Sequence, residues 1–315
     1  MPTVLLTGGT GLIGTALIKK LTEKGYEVII LTRKPKEPKD KRVSYACWDV
    51  NRQVIDEKTI AAADHIIHLA GANVGEKRWT KKRKKEIIDS RVKSGELICT
   101  ALQKVNHKVK SFISASAIGW YGPDPVTPNP DPFKEEAPHA NDFLGHACYE
   151  WEWSVSAVKD MGIRLCYIRT GIVLSAGGGA LKEFLTPLKY GIAAVPGSGK
   201  QIISWIHIDD LAELYVKAME DMVYEGVYNA VSPHPVSTKH LVRTLAKAAN
   251  GSFYITIPVP APVLKIVLGE MSAEVLKSAT VSSQKVQDAG FKFTCPNIDS
   301  AIRQIVGRDH QVKSV

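Results

Sequence analysis

The chain has no apolar run long enough to cross a bilayer, so no helical membrane anchor is expected. Cysteine is scarce. Its five residues, Cys47, Cys99, Cys148, Cys166 and Cys295, are scattered and odd in number, and no C-x-x-C occurs. That pattern excludes a disulfide framework and a zinc ribbon, and reduced thiols in a cytoplasmic protein are expected. Internal repeats and low-complexity blocks are absent, which excludes a solenoid. Met1-Pro2-Thr3 leads at once into an apolar run, so no signal peptide is expected. One further absence is local: no carboxylate stands between Val28 and Lys36.

What is present is an ordinary globular composition. The 315 residues are 44% hydrophobic and 23% charged, enough for a nucleotide-sized domain and a smaller lobe. The formal net charge is +9, and much of the excess sits in Lys77-Arg78-Trp79-Thr80-Lys81-Lys82-Arg83-Lys84-Lys85. A block of this kind can track phosphates. The plainer reading is the solvated start of a helix whose apolar face is Ile87, Ile88 and Val92, so nucleic acid is not the expected partner. An anionic small molecule also suits this balance.

The strongest motif is Thr3-Val4-Leu5-Leu6-Thr7-Gly8-Gly9-Thr10-Gly11-Leu12-Ile13-Gly14. Gly9, Gly11 and Gly14 satisfy G-x-G-x-x-G; Gly8, Gly11 and Gly14 satisfy G-x-x-G-x-x-G. Either frame lets a pyrophosphate approach bare backbone at a helix N-terminus. The context fits: a strand precedes, a helix follows, and a second strand is expected at 28–31. That strand ends in Thr32-Arg33-Lys34-Pro35. A carboxylate there would favour a free ribose 2′-hydroxyl, whereas Arg33 pairs with a 2′-phosphate. NADP(H) is therefore the expected cofactor; a merely solvated turn with NAD is the alternative.

Apolar runs at 4–6, 28–31, 43–47, 65–69, 111–114 and 164–168 alternate with helical patterns at 12–23, 80–103 and 141–158. This alternation predicts an α/β fold, a Rossmann-like doubly wound parallel sheet with ligand chemistry at the carboxyl ends of its strands. Residues 1–174, with about 202–230, are expected to form the nucleotide-binding domain. Residues 175–201 and 231–307 are expected to form a smaller C-terminal α/β lobe on the substrate side. The spacing predicts one strand over 202–208, a helix from Asp209-Asp210 to 219, helices at 263–268 and 298–306, and a loose tail at 308–315.

Further segments follow the expected strands in order: Trp48-Asp49, His68-Leu69-Ala70-Gly71, Ser114-Ala115-Ser116-Ala117-Ile118-Gly119-Trp120-Tyr121-Gly122, Arg169-Thr170-Gly171-Ile172-Val173, and Trp205-Ile206-His207-Ile208-Asp209-Asp210. The whole resembles the extended short-chain dehydrogenase/reductase superfamily, in its NAD-dependent epimerase/dehydratase group. More narrowly it resembles a poorly characterised branch of epimerase family proteins with a C-terminal module, here 257–306. The resemblance implies an oxidoreductase that transfers hydride to or from a small molecule the sequence does not identify. Gly8, Gly9, Thr10, Gly11, Leu12, Ile13 and Gly14 would then wrap the pyrophosphate. Thr32 and Arg33 would hold the 2′-phosphate, Asp49 the adenine amino group, and Leu69, Ala70 and Gly71 the adenosine side. Thr170, Gly171, Ile172 and Val173 would flank the nicotinamide. Arg91 is a candidate cofactor contact oriented by Glu86; a surface helix arginine is the alternative. A homodimer is a family-level expectation.

The catalytic pattern departs from that family. Its members carry Tyr-x-x-x-Lys on the helix after the fifth strand, with a serine at the strand end. Ser116 matches the serine. Aligning Gly145 and Glu152 with the pattern places Leu144 at the tyrosine and Cys148 at the lysine. A leucine carries no proton, and a thiol is not a fixed cation. Tyr121 is the candidate replacement acid, and a packed aromatic beside Trp120 is the alternative. A cofactor-binding sensor or scaffold without turnover is the competing function. No metal site is expected: His65 and His68, three apart on a strand, face opposite sides. Gly197-Ser198-Gly199-Lys200-Gln201 is not a P-loop, because Ala194 replaces the leading glycine and Gln201 supplies no hydroxyl. His207, Asp209 and Asp210 read as a strand-to-helix junction with Asp209 or Asp210 as N-cap.

Overall fold

A computed structural model describes residues 1–38 and 40–312, with side chains up to residue 307. In chain order the strands are β1 (Thr3–Thr7), β2 (Glu27–Thr32), β3 (Val43–Asp49), β4 (Val54–Ile55), β5 (His65–His68), β6 (Ser111–Ala117), β7 (Arg164–Thr170), β8 (Ile172–Leu174), β9 (Ile192–Pro196), β10 (Ile202–Ile203), β11 (Trp205–His207), β12 (Gly226–Ala230), β13 (Val236–Ser237) and β14 (Ile255–Val259). The helices are α1 (Leu12–Glu23), α2 (Glu57–Ala62), α3 (Lys81–Lys104), α4 (Phe143–Trp153), α5 (Ala180–Leu188), α6 (Ile208–Glu220), α7 (Thr238–Asn250), α8 (Ala261–Leu268), α9 (Ser272–Leu276), α10 (Gln284–Asp288) and α11 (Ile298–Val312).

Eight strands form one sheet in the order β12-β7-β6-β5-β1-β2-β3-β4, parallel except for the β3–β4 pair. The strand order reverses between β1 and β5, the place where a doubly wound sheet opens a crevice at its strand ends. β1 is buried at every position and β7 likewise, as expected for strands covered on both faces. One core lies between the sheet and α1 and α6, and includes Leu6, Leu17, Ile30, Ile168, Leu211 and Tyr215. A second lies on the α3 side, around Leu5, Ile66, Ile98, Phe112 and Leu165. A third, smaller core joins α5, β9, α7 and α11 through Leu181, Val195, Leu241, Leu245, Ile298 and Ile302. The division is not clean along the chain, because Val286 and Phe291 from the C-terminal segment pack in the first core.

Several local expectations change. The expected strand over 202–208 is two strands: β10 pairs antiparallel with β13, and β11 parallel with β8. The break is at Ser204. Its hydroxyl donates to the Ala279 carbonyl and accepts the Val281 N–H, so the C-terminal segment is stitched in at that residue. The helical pattern over 141–158 resolves into α4, capped by Asp142, and a 3₁₀ turn at Ser156–Met161. The N-cap of α6 is His207, whose Nδ1 accepts the Asp209 N–H, and neither aspartate takes that role. Asp210 instead accepts the Thr294 and Cys295 N–H groups at 2.8 and 2.9 Å. The tail expected to be loose continues α11 to Val312, and 313–315 lie outside the described residues.

Asp210 is the tie between α6 and the C-terminal segment, since burying two backbone donors without an acceptor is costly. Asp210→Ala should lower stability by roughly 2–4 kcal/mol in denaturant unfolding. A loss under about 0.5 kcal/mol would mean that the two amides find another partner.

Candidate functional site

The glycine run makes a turn that only glycine fits. Gly8 has φ +69, and its backbone passes so close to Leu69 that a Cβ would lie 3.0 Å from the Leu69 carbonyl carbon. A Cβ on Gly14 would lie 2.4 Å from the Gly8 oxygen and 2.6 Å from the Gly9 Cα. The helix thus seats directly on the turn. The Gly11 N–H closes it onto the Gly8 oxygen at 3.0 Å. Thr10 and Gly11 are exposed, and Leu12 and Ile13 are half-buried. No side chain caps α1, and its first turn holds no acid. Its N-terminal amides are therefore open to an anion, with the helix dipole behind them.

The neighbouring loop is held by one hydroxyl. Thr7 Oγ1 accepts the Leu69 and Ala70 N–H groups, both at 3.0 Å, and lies 2.9 Å from His68 Nδ1. With both lone pairs used, the hydroxyl proton points at Nδ1, so His68 carries its own proton on Nε2. Nε2 lies 3.3 Å from Ser94 Oγ, which donates to the Arg91 carbonyl. Burial, with the Arg91 charge adding to it, pushes the His68 imidazole down to about 3. The sequence pattern does not reveal this line of hydrogen bonds. Its only signal there is a histidine at the end of the strand His65-Ile66-Ile67-His68, which the sheet places in register with Thr7.

The other expected cofactor residues gather at the same edge. Thr32 ends β2, and its hydroxyl accepts the Lys34 N–H; Arg33 and Lys34 are exposed. Asp49 ends β3, where one carboxylate oxygen accepts the Asn51 and Arg52 N–H groups and holds the following turn. Leu69, Ala70 and Gly71 follow β5, and Thr170 ends β7. Gly171 is pinned between strands: a Cβ there would lie 2.7 Å from the Ser204 oxygen. Ile172 and Val173 continue as β8 beside β11.

Arg91 is not a surface residue, and Glu86 does not orient it. Glu86 is exposed and pairs with Arg83 at 2.8 Å, its neighbour three residues back on the helix. Arg91 is 9% exposed, donates to the Ala72 and Ile87 carbonyls, and stacks over the Trp151 ring at 4.6 Å. A Cβ on Gly71 would lie 3.0 Å from its guanidinium carbon. Among the described residues no carboxylate reaches it within ion-pair distance. Burial pushes the guanidinium down to about 10. A buried cation without a counter-ion, under the loop that follows β5, is suited to an anion placed there.

The expected catalytic residues are differently engaged. Ser116 is buried and donates to Glu152 at 2.7 Å. Glu152 is held bidentately by Arg169, at 2.8 and 2.9 Å. Arg169 also donates to the Tyr121 hydroxyl, at 3.1 Å, and stacks over Trp120. Tyr121 is fully buried, stacks on Phe133, and donates to Asn229 at 2.8 Å. Burial pushes its hydroxyl up to about 12. Tyr121 is therefore a packed aromatic in a closed network, which corrects its assignment as the replacement acid. Cys148 is buried, donates to the Ala117 carbonyl, and burial pushes its thiol up to about 12. Leu144 packs on Gly119. The Glu152–Arg169 pair is absent from the sequence expectations, although an arginine inside the buried run Arg164-Leu165-Cys166-Tyr167-Ile168-Arg169-Thr170 demands a carboxylate.

The basic block is more than a solvated face. Arg83 is buried and pairs with Glu76 and Glu86. Trp79 packs edge-on to Phe143 at the start of α4. Arg78 donates to the Ile266 and Val267 carbonyls at the end of α8, and Lys84 pairs with Glu270. The segment 261–277 is thereby strapped across the loop that follows β5. Lys77, Lys81, Lys82 and Lys85 are exposed. Among the described residues there is no cluster of His, Cys, Asp and Glu that would hold a metal, and no helix long and apolar enough to cross a membrane. His65 and His68 do face apart: His65 meets Ser111, and His68 meets Thr7.

The sequence pattern of the NAD dependent epimerase/dehydratase family matches residues 4–230. The chain belongs to that family. A second pattern, a domain of unknown function designated DUF1731, matches residues 259–305. The epimerase family protein YfhF of Bacillus subtilis is 33% identical over 304 residues, covering 96% of this chain and 97% of that one. The structure of human epimerase family protein SDR39U1 (isoform 2) with NADPH superposes with a TM-score of 0.84 at 28% identity, covering 97% and 99% of the two chains. The UDP-glucose 4-epimerase of Thermus thermophilus, in complex with NAD, superposes with a TM-score of 0.76 at 20% identity over 99% and 100%. That last likeness is one of fold.

The Thr7–His68 tie is testable through the pH dependence of stability. His68 is neutral in the folded protein down to about pH 3, whereas an unfolded histidine protonates near 6.5. Between those values the unfolded chain binds the extra proton, so stability falls as pH falls through that window. Unfolding free energy should drop by about 2 kcal/mol from this residue between pH 7 and pH 5. His68→Asn should remove that part of the slope; an identical slope in the variant would show that His68 is not its source.

Proposed function

We propose that the chain is an NADP(H)-dependent oxidoreductase of this family, acting by hydride transfer on a small molecule. The observation that carries the reading is the end of β2. Thr32, Arg33 and Lys34 stand there with no carboxylate, next to a helix N-terminus left open by glycine. A 2′-phosphate carries close to two charges at neutral pH and pairs with a guanidinium through two charge-assisted hydrogen bonds. The human neighbour, whose structure is described with NADPH, supports the same choice.

The residues present fit such a cofactor. The amides of Gly9 to Ile13 would meet the pyrophosphate, with the Arg91 charge beneath it. Asp49 would take the adenine side, and Thr170 to Val173 would flank the nicotinamide. The bound cofactor would supply the hydride. The chain's own part is to hold the two rings apart along the strand ends and to exclude water around the transfer. NADP(H) preference also favours a net reductase over an epimerase, because an epimerase regains its cofactor each cycle and draws nothing from a reducing pool.

A second reading has its own observation. Ser116, Tyr121 and Cys148 all spend their protons on buried partners, and Leu144 has none. A cofactor-binding sensor without turnover would look the same. Calorimetric titration with NADPH and NADH, followed by NADPH oxidation against a carbonyl panel, decides between these. NADPH should bind tighter than NADH, and Arg33→Ala should weaken NADPH by about 10- to 100-fold while leaving NADH unchanged. Tighter NADH, or an indifferent Arg33→Ala, overturns the cofactor choice. Tight NADPH binding with no turnover on any carbonyl favours the sensor.

A further inference from the structure

The small β9–β14 sheet presents an exposed apolar face. Ala193 and Val195 of β9 are buried in the third core, against which Tyr254 packs. Strand alternation then turns Ile192 and Ala194 the other way. The register sets Ile255 beside Ile192 and Ile257 beside Ala194, so these four share the outer face. Ile255 is 71% exposed, and Ile257 is exposed as well. Tyr190 and Phe253 stand just ahead of the two strands, 81% and 88% exposed. After Pro260 the chain enters α8, in which no residue is buried and only Lys265 is charged. Val263, Ile266 and Val267 are spaced three and four residues apart, lie on one face of that helix, and are all exposed.

The segments that build this surface carry charge of one sign. From Phe184 to Ile208 and from Gly226 to Gly269 the chain holds no aspartate or glutamate. Lys189, ahead of β9, and Lys265 are exposed, and among the described residues neither lies within ion-pair distance of a carboxylate. At the end of α8, Arg78 donates to the Ile266 and Val267 carbonyls and brings the exposed Lys77 alongside. Glu270, the first acid after α8, is neutralised by Lys84. Exposed aliphatic and aromatic side chains set among unpaired lysines are the composition of a segment that lies in a lipid interface.

We infer that β9, β14 and α8 form a surface that rests on the headgroup layer of an anionic lipid bilayer. Phe253, Ile255, Ile266 and Val267 enter the acyl boundary, and Lys189 and Lys265 meet the negative charge of the lipids. Eight residues of helix are too short to span, so the contact is peripheral. A second copy of the chain suits this face less well, because two acid-free surfaces would bring like charges together. Strand addition along β14 also meets Pro258, which has no N–H to give.

The test is flotation of the full-length protein with vesicles of phosphatidylcholine, alone or mixed with phosphatidylglycerol. At about 0.1 M salt the protein should float with the mixed vesicles and stay behind with phosphatidylcholine alone; about 0.5 M salt should weaken the binding. Lys189→Gln with Lys265→Gln should weaken it about 30-fold, and Ile266→Ser with Val267→Ser by about tenfold. Both pairs are exposed, so each variant should unfold at the temperature of the unaltered chain. Failure to float with the mixed vesicles overturns the inference, as does binding that both pairs of substitutions leave unchanged. A dimer in sedimentation velocity that Ile255→Asp dissolves, with no vesicle binding, also overturns it and puts a second copy on this face.

Discussion

The contact on which the site depends is the seating of α1 on the glycine turn. The Gly8 oxygen and Gly9 Cα occupy the space that any side chain at position 14 would need, at 2.4 and 2.6 Å. Because the helix comes this close, its first amides open onto the strand ends and face no capping side chain. The same turn passes against Leu69, so the loops after β1 and β5 are fixed together. Thr7 then ties Leu69 and Ala70 with a single oxygen, and His68 must stay neutral for that oxygen to keep its geometry. The crevice at the reversal of strand order is therefore built from backbone and one hydroxyl, with the buried Arg91 charge beneath the loop.

Charge is treated differently on the two sides of that crevice. On the side of the glycine turn, among the described residues, Arg91 has no carboxylate partner, and Arg33 is exposed at the end of β2. On the far side Arg169 is paired deeply with Glu152, and Lys84 and Lys277 pair with Glu270 and Glu274. Breaking a buried pair of this kind by removing one partner costs about 3–5 kcal/mol, so Ser116 and Tyr121 are tied into a network that resists change. Leu144 stands on α4 where the family resemblance implies a tyrosine, and Ser116 and Tyr121 are engaged by Glu152 and Asn229.

Much of this is legible in the sequence. Six of the seven parallel strands of the sheet are visible because each is a short, mostly apolar run ending in residues that cannot continue it, as in Leu6-Thr7-Gly8 and His68-Leu69-Ala70-Gly71, whereas the edge strand β12 is not among the expected strands. The glycine turn is visible because backbone approach leaves a residue-type signature. What stays hidden depends on contacts between distant segments. Ser204 looks like one more residue in a strand, and it ends the strand only because residues 279 and 281 bond to it. His207 becomes a cap in place of Asp209 or Asp210, the latter being committed to residues 294 and 295. Arg91 reads equally as surface or site, since a helix pattern does not say that Gly71 will lie on it.

The most direct measurement of the central claim is a ³¹P NMR pH titration of NADP⁺ bound to the protein. Free, the 2′-phosphate takes up a proton near pH 6. Held by Arg33 at the end of β2, it should stay dianionic to well below that pH, with the pyrophosphate resonances shifted by contact with the α1 amides. A bound 2′-phosphate that titrates as it does in free solution would contradict the account.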